Sequence, residues 1–503
     1  MNEDGHTEDP TRKFRRIGTL KSFDDFRLYL RSAGVELNVD EVALTDDSPL
    51  EQPVTIGNFQ VGNRWCIHPM EGWDGTEDGR PSEHTQRRWR NFGASGAKLL
   101  WGGEAFAVQS DGRANPNQLY YRPENVDSIR DLYHQTLATH RESFGDDATD
   151  DLMIGLQLTH SGRFCRPNPD NKLRPRIAYH HPLLDQKFNI AADDDSVVMT
   201  DDDLKRLIDS YIVTAKMAAD IGFQFVDVKH CHGYLGHELL SAFARPGPFG
   251  GDFAGRTKFV RDICAGIRTE CPGLMIGVRL SLFDQLPFKP DPTLSNDGIL
   301  GPGIPERFTG NDYPGFGCQR NAPLESDWSE PVQLLEMMRD ELKIELVNLS
   351  AGSPYYNPHI QRPAFYPPSD GYQPPEDPII GCVRQIEAVR EMKRRVPGLP
   401  MVGTAYSYFQ EFIPHVAQPL VRDNAVDFIG LGRVVLSHWT LPADVKAGRD
   451  LRAIRKVCRT FSDCTTAPRN GMISGCYPLD DYYKSMPEHA ELKRIKREQA
   501  RTW

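Results

Sequence analysis

The feature that most restricts how this chain can fold is a recurrence. Short apolar runs rich in β-branched residues appear eight times, at residues 64–69, 97–101, 152–158, 225–229, 275–280, 344–349, 400–403 and 426–431. Each ends in a glycine, serine, histidine or other polar residue of the kind that opens a loop. Between the runs lie segments with helical spacing. The clearest is Leu204, Leu207, Ile208, Tyr211, Ile212, Ala215 and Ala219, opened by Thr200 with Asp203 three residues on and closed by Gly222. Phe259, Ile263 and Ile267 repeat the pattern before the fifth run. Ile379, Val383, Ile386 and Val389 do so before the seventh, and Phe409, Phe412, Ile413, Val416 and Leu420 before the eighth. Strands that alternate with helices imply a parallel sheet, and eight of them imply an α/β fold closed as an eight-stranded parallel β/α (TIM) barrel.

The barrel is expected over 51–450, with an N-terminal extension over 1–50 and a C-terminal tail over 451–503. Two long segments interrupt the repeat, 164–198 after the third strand and the Pro/Gly/Asp-rich 283–329 after the fifth. Both follow strand C-termini, so they are either lids over the barrel mouth or surface and oligomer-contact loops. No GxGxxG follows a strand, since Gly430-Leu431-Gly432-Arg433 lacks the third glycine. A separate dinucleotide-binding domain therefore has no support.

Polar residues crowd the C-terminal ends of the strands, where bulky apolar side chains would suffice to fill a barrel: Glu71, Gly103 and Glu104, Gln157 with His160 and Arg163, Lys229, His232 and Tyr234, Arg279, Gly403 and Thr404, Gly432 and Arg433. Polar groups buried in strands need partners, and this mouth is where barrels of this kind carry their chemistry. Glycines directly after the seventh and eighth strands, the second followed by Arg433, offer backbone N–H groups and a cation where barrels commonly hold phosphate. Singly they read as tight-turn residues beside a surface arginine, whereas paired in adjacent loops they point to a phosphorylated ligand.

The net charge of −11 gives no general attraction to phosphate backbones or anionic lipid surfaces. The first eighteen residues are polar, and no apolar run reaches spanning length, so the expectation is a cytoplasmic protein with a small-molecule substrate and without nucleic-acid or membrane partners. Most of the ten cysteines are scattered through apolar segments, as reduced thiols are.

Several motifs occur in a fixed order. Gln157-Leu158-Thr159-His160-Ser161-Gly162-Arg163 and Lys229-His230-Cys231-His232-Gly233-Tyr234-Leu235 resemble the QLxHxGR and HxxHGYL signatures of Old Yellow Enzyme-like NADH:flavin oxidoreductases. Phe249-Gly250-Gly251-Asp252-Phe253-Ala254-Gly255-Arg256 is similar to that family's YGGSxxNR, and the match extends over about residues 53–445. The resemblance implies FMN as cofactor and NADH or NADPH as hydride donor. It places Gln157 on the flavin pyrimidine edge and Arg279 at the N1/O2 side. Pro69 and Met70 would lie beside the ring, Gly103 would contact it through backbone, and Gly403, Thr404, Gly432 and Arg433 would hold the phosphate. Tyr234 corresponds to the proton donor and His232 to one of two residues that grip the acceptor oxygen.

Two positions depart from the family pattern. Lys229 stands where the other gripping histidine is usual, either to bind an anionic substrate or merely to pair with Glu71 or Glu104. Glu71 falls near the position where Thr or Cys commonly tunes the flavin, and a carboxylate there opposes reduction unless it is paired or protonated. The barrel resembles that of 2,4-dienoyl-CoA reductase relatives, whose iron–sulfur cluster uses four cysteines after the barrel. Here only Cys458, Cys464 and Cys476 occur, so no cluster and no metal are expected, and the last 27 residues leave no room for those relatives' nucleotide-binding domain. The implied activity is NAD(P)H-driven reduction of an activated alkene, an enone or enoate, by an enzyme that is commonly a homo-oligomer. Two alternatives stand beside it: FMN-dependent dehydrogenation of an amine or saturated substrate, and a Schiff-base aldolase or lyase that uses Lys229.

Overall fold

The computed structural model describes residues 14–295 and 300–501. The first part of the N-terminal extension, residues 296–299 of the segment after the fifth strand and the last two residues of the tail lie outside the described residues.

All eight expected strands form. They are β1 (Trp65–Ile67), β2 (Leu99–Leu100), β3 (Met153–Thr159), β4 (Phe225–Val228), β5 (Met275–Ser281), β6 (Leu346–Ser350), β7 (Met401–Gly403) and β8 (Phe428–Leu431). Neighbours pair in parallel around the ring, and β8 pairs with β1, β1 with β2 and β2 with β3, which closes the barrel. A further short strand, Ala105–Ala107, continues the second stave alongside Gln157–Thr159 after a bulge that contains Gly103.

Each strand is followed by a helix: α1 (Glu83–Gly93), α2 (Val126–Phe144), α3 (Asp201–Ile221), α4 (Phe253–Glu270), α5 (Ser329–Asp340), α6 (Pro378–Arg395), α7 (Ile413–Arg422) and α8 (Leu441–Lys446). Helix α3 starts and stops where its sequence signals stand. Thr200 Oγ1 accepts from Asp203 N at 3.1 Å, Asp203 accepts from Thr200 N at 2.9 Å, and Gly222 takes the left-handed conformation at φ 114°. The helix expected from Phe409 begins only at Ile413. Residues 406–412 form a 3-10 stretch broken at Gln410 (φ 56°), and Pro414 fits the first turn of α7. Phe409 and Phe412 instead receive Phe26 of the N-terminal helix Phe23–Ser32, Phe412 stacking on it at 4.3 Å.

The strands read as apolar runs because both of their faces are covered, and the period of two separates the faces. One set, including Leu156, Val226, Ile276 and Val347, packs in the large core beneath the helices. The other set points into the barrel. At its N-terminal end Cys66, Met153, Phe225, Met275, Leu346 and Phe428 form a second apolar cluster. A hairpin of Val54–Ile56 and Phe59–Val61 seals it, with Ile56 and Val61 fully buried. Phe225 takes the centre of the barrel and allows only glycine opposite, for a Cβ on Gly155 would come within 2.3 Å of its ring. Following the same inward positions toward the C-terminal end, the apolar residues give way to His68, Gln157, Asp227, Arg279 and Asn348, all buried.

Candidate active site

Those five residues build a polar layer on top of an apolar plug. Asp227, the inward residue between Phe225 and Lys229, is fully buried and collects three donors. Trp101 Nε1 and Gln157 Nε2 donate to its Oδ2 at 2.7 and 2.6 Å, and Arg279 N donates to Oδ1 at 2.6 Å. Burial pushes its pKa upward, and these hydrogen bonds oppose that shift. Asp227 therefore orients the Gln157 amide, with its nitrogen turned to the carboxylate. Asn348 Nδ2 lies 3.0 Å from His68 Nδ1, whereas His68 Nε2, Asn348 Oδ1 and Arg279 Nε find no protein partner. Burial and the adjacent Arg279 keep the His68 imidazole well below its ordinary pKa, so it is neutral.

Above this layer opens a cavity of about 250 Å³. Of the residues expected at the site, Pro69, Met70, Glu71, His232, Arg279, Thr404, Gly432 and Arg433 line it. Its charge is one-sided: Arg279, Arg362, Arg433 and Arg469 face a single carboxylate, Glu71. The cavity thus carries a local positive field within a chain of net charge −11. Arg433 Nη2 donates to Pro363 O at 2.8 Å and its Nη1 is buried without a partner. Arg362 binds Thr465 through Nη1 and likewise leaves Nη2 buried and unpartnered. Orphaned guanidinium donors beside the open backbone of Gly432, where a Cβ would meet nothing closer than 3.8 Å, suit a phosphate.

Five expected residues lie behind the cavity wall instead of on it. Gly403 backs onto Tyr406, whose hydroxyl would sit 2.5 Å from a Cβ there. Gly103 (φ 59°) backs onto the Trp89 ring, and its carbonyl accepts from Met70 N at 2.8 Å, so it shapes the wall through Met70. Gln157 belongs to the polar layer. Lys229 is buried, with Nζ 3.6 Å from the centroid of the Tyr234 ring. It makes no ion pair among the described residues, and Glu104 is taken by Arg88, which also binds Asp74. The pairing of Lys229 with Glu71 or Glu104 is thus corrected to a contact with an aromatic face.

Tyr234 is also buried, at 3% exposure. Its hydroxyl donates to Glu71 Oε2 at 2.9 Å and lies 2.9 Å from the hydroxyl of Tyr355, while Asn115 Nδ2 donates to Glu71 Oε1 at 3.0 Å. Burial first, then Glu71 and Tyr355, hold the Tyr234 pKa far above the phenol range. His232 adopts φ 66°, and its Nε2 lies 3.0 Å from Ser350 Oγ and 3.2 Å from Gln361 Nε2.

Much of the remaining wall comes from places that sequence reasoning missed. The loop between β6 and α6 contributes Tyr355, Gln361 and Arg362, and the tail contributes Cys464, Thr465, Pro468, Arg469 and Ser474. Among the described residues, none of 164–198 or 283–329 lines the cavity; Phe164 reaches it only by stacking on Tyr355 at 4.0 Å. Cys458 and Cys476 are buried, and Cys464 is half-buried. Among the described residues no three His, Cys, Asp or Glu side chains are placed to hold a metal ion, and no helix is long and apolar enough to cross a membrane.

Fold and site together define a β/α barrel whose mouth holds a cavity lined by guanidinium groups above a polar floor. Comparison with known proteins shows what the chain is similar to. The model of the NADH:flavin oxidoreductase / NADH oxidase family matches residues 49–293. An NADPH dehydrogenase of Geobacillus sp. (strain WCH70) is 28% identical over 247 residues, covering 48% of this chain and 65% of that protein. The flavin oxidoreductase hxnT of Emericella nidulans is 23% identical over 448 residues, 87% of this chain and 99% of that one. Among solved structures, a 2-naphthoyl-CoA reductase complex superposes with a TM-score of 0.60 at 17% identity, over 85% of this chain and 56% of that chain. The Old Yellow Enzyme homologue of Zymomonas mobilis superposes with a TM-score of 0.53 at 18% identity, over 79% and 92%. The structural likenesses bear on the fold. Over residues 49–293 the chain is therefore similar to the NADH:flavin oxidoreductase / NADH oxidase family.

Proposed function

We propose that this protein is an FMN-dependent oxidoreductase that takes reducing equivalents from NADH or NADPH and passes them to an activated alkene of the enone or enoate type. The observation that carries the reading is the polarity of the cavity just described: the guanidinium groups of Arg362 and Arg433, each with one unpartnered nitrogen, at one end, and Arg279 with His68 over a polar floor at the other. Arg433, Arg362, Gly432 and Thr404 would hold the FMN phosphate, and Pro69 and Met70 would flank the ring. Arg279 would supply positive charge near the pyrimidine edge, and Gln157, oriented by Asp227, would present its amide oxygen there. Bound in this way, FMN supplies two-electron hydride chemistry between the nicotinamide and the acceptor.

His232, held by Ser350 and Gln361, would orient the acceptor at the cavity wall. Lys229 acts electrostatically through the Tyr234 ring, since it does not line the cavity. A lysine so placed does not serve as a Schiff-base nucleophile, which must reach a carbonyl. The same site run in reverse, as a dehydrogenase of an amine or saturated substrate, is favoured by one observation: the hydrogen bond from Tyr234 ends on a carboxylate that can accept a proton. The visible spectrum of the purified protein, before and after anaerobic NADH or NADPH, tests the proposal. Bound FMN that bleaches supports it; FMN that does not bleach favours the reverse reaction, and failure to bind FMN after reconstitution removes it.

A further inference from the structure

Any acceptor that gains a hydride must also gain a proton, and the residue matched to that task, Tyr234, does not face the cavity. Its hydroxyl is enclosed between Glu71 and Tyr355. Tyr355 does line the cavity and is more exposed than Tyr234. Because Tyr234 has one hydroxyl proton and donates it to Glu71, the bond between the two phenols is filled by the proton of Tyr355. The chain therefore runs from Tyr355 through Tyr234 to the carboxylate.

We infer that Glu71, Tyr234 and Tyr355 form a two-phenol proton relay in which Glu71 stores the proton and Tyr355 is the catalytic residue that exchanges it with the substrate. The inference rests on the oxidoreductase reading above and deepens it. When an alkene is reduced, the carbon next to the activating group takes the Tyr355 proton as its new C–H bond forms. The Tyr355 oxygen takes the proton of Tyr234, and the Tyr234 oxygen takes that of the Glu71 carboxylic acid. Glu71 is left ionised, as it stands in the resting hydrogen-bond pattern, and regains its proton from solvent. In the oxidising direction the same three transfers run backwards and the proton ends on Glu71. The net movement is one proton for each hydride.

The surroundings suit the task. Asn115 fixes one Glu71 oxygen, which leaves the other for Tyr234. Phe164 stacks on the Tyr355 ring and holds its hydroxyl in line. The charged groups that face the relay are Lys229 over the Tyr234 ring, Arg166 and Arg469 near Tyr355, and Glu104 near Glu71. The three cations stabilise negative charge as it passes along the phenols.

The test uses FMN-loaded protein reduced with dithionite, which bypasses the nicotinamide step, and then mixed with cyclohex-2-enone, cinnamate or 1-nitrocyclohexene. Ferricyanide, which takes electrons without a proton, is the reference oxidant. In Tyr355→Phe, which keeps the ring stacked, the ratio of alkene-driven to ferricyanide-driven reoxidation should fall about 100-fold. Glu71→Gln, whose amide cannot store the proton, should lower the same ratio. Retention of the wild-type ratio by Tyr355→Phe, with loss in Tyr234→Phe, overturns the relay in favour of direct donation by Tyr234. Reduced wild-type protein that ferricyanide reoxidises but none of the alkenes does also overturns it. Protein that takes up no FMN fails the oxidoreductase reading itself and takes the relay with it.

Discussion

Replacing Arg362 with methionine separates a ligand-binding arginine from a structural one. The guanidinium is enclosed by the cavity wall, and its pKa is pushed down to about 9, by burial first and then by Arg469 and Arg433. A depression of that size is about 5 kcal/mol of penalty on the charged form in a dry site. Because the side chain is partly exposed, solvent screening reduces the figure to about 2–3 kcal/mol. Its single hydrogen bond to Thr465 returns only about 1 kcal/mol. A methionine of similar length should therefore raise the melting temperature of the FMN-free protein. The same change should weaken FMN binding by about 1.5–3 kcal/mol, the loss of one charge-assisted contact to phosphate, which is about 10- to 150-fold in Kd. Quenching of flavin fluorescence gives the Kd, and a thermal melt of the apoprotein gives the stability. A lower apo melting temperature together with an unchanged Kd would refute the reasoning and make Arg362 a strut for the tail.

Other consequences follow from buried charge and backbone geometry. Arg88→Met strands Asp74 and Glu104 in the interior and should cost about 3–5 kcal/mol in urea unfolding; a loss under about 1 kcal/mol would mean that water reaches the two carboxylates. His230 and His237 are buried and held at about 4 instead of their ordinary 6.5. Their stabilising contribution is fully present above pH 6.5 and is lost as pH falls toward 4, by up to about 3 kcal/mol each, so urea midpoints should drop between pH 7 and pH 5. In His237→Gln that drop should be shallower, and an identical slope would count against the assignment. Gly103→Ala meets both a left-handed backbone and the Trp89 ring, and should lower stability by at least about 2 kcal/mol while displacing Met70. Near-wild-type melting and FMN affinity in that variant would contradict the described wall.

The sequence by itself determined the architecture. Eight apolar runs with helical segments between them leave a closed parallel barrel as the arrangement that covers both faces of every strand, and polar Gln157 and Arg279 within or beside those runs already read as groups in need of partners. Helix α3 was legible to the residue because its capping box and Gly222 act through local hydrogen bonds and one backbone angle. The place of Gly432 and Arg433 at the mouth was legible, since a loop after a strand can only project there. Asp227 was within reach too, two positions from Phe225 on the same inward face, but an acid within an apolar run carries no sign of which donors it will meet.

What only the tertiary structure decided was which residues distant in sequence share the cavity. Arg362, Arg469 and Tyr355 come from a loop and a tail whose paths depend on long-range packing, for which there is no local period to read. Lys229 and Tyr234 show the same limit at close range. The HxxHGYL motif identified them, yet their surroundings are set by Glu71 from the first strand loop and Tyr355 from the sixth. Those contacts place Tyr234 in the middle of a hydrogen-bond chain and put Lys229 over a ring, where an ion pair was one of its two expected roles. Hydrogen bonds at 2.9 Å depend on three separate loops meeting within an ångström, and that convergence is a property of the folded barrel.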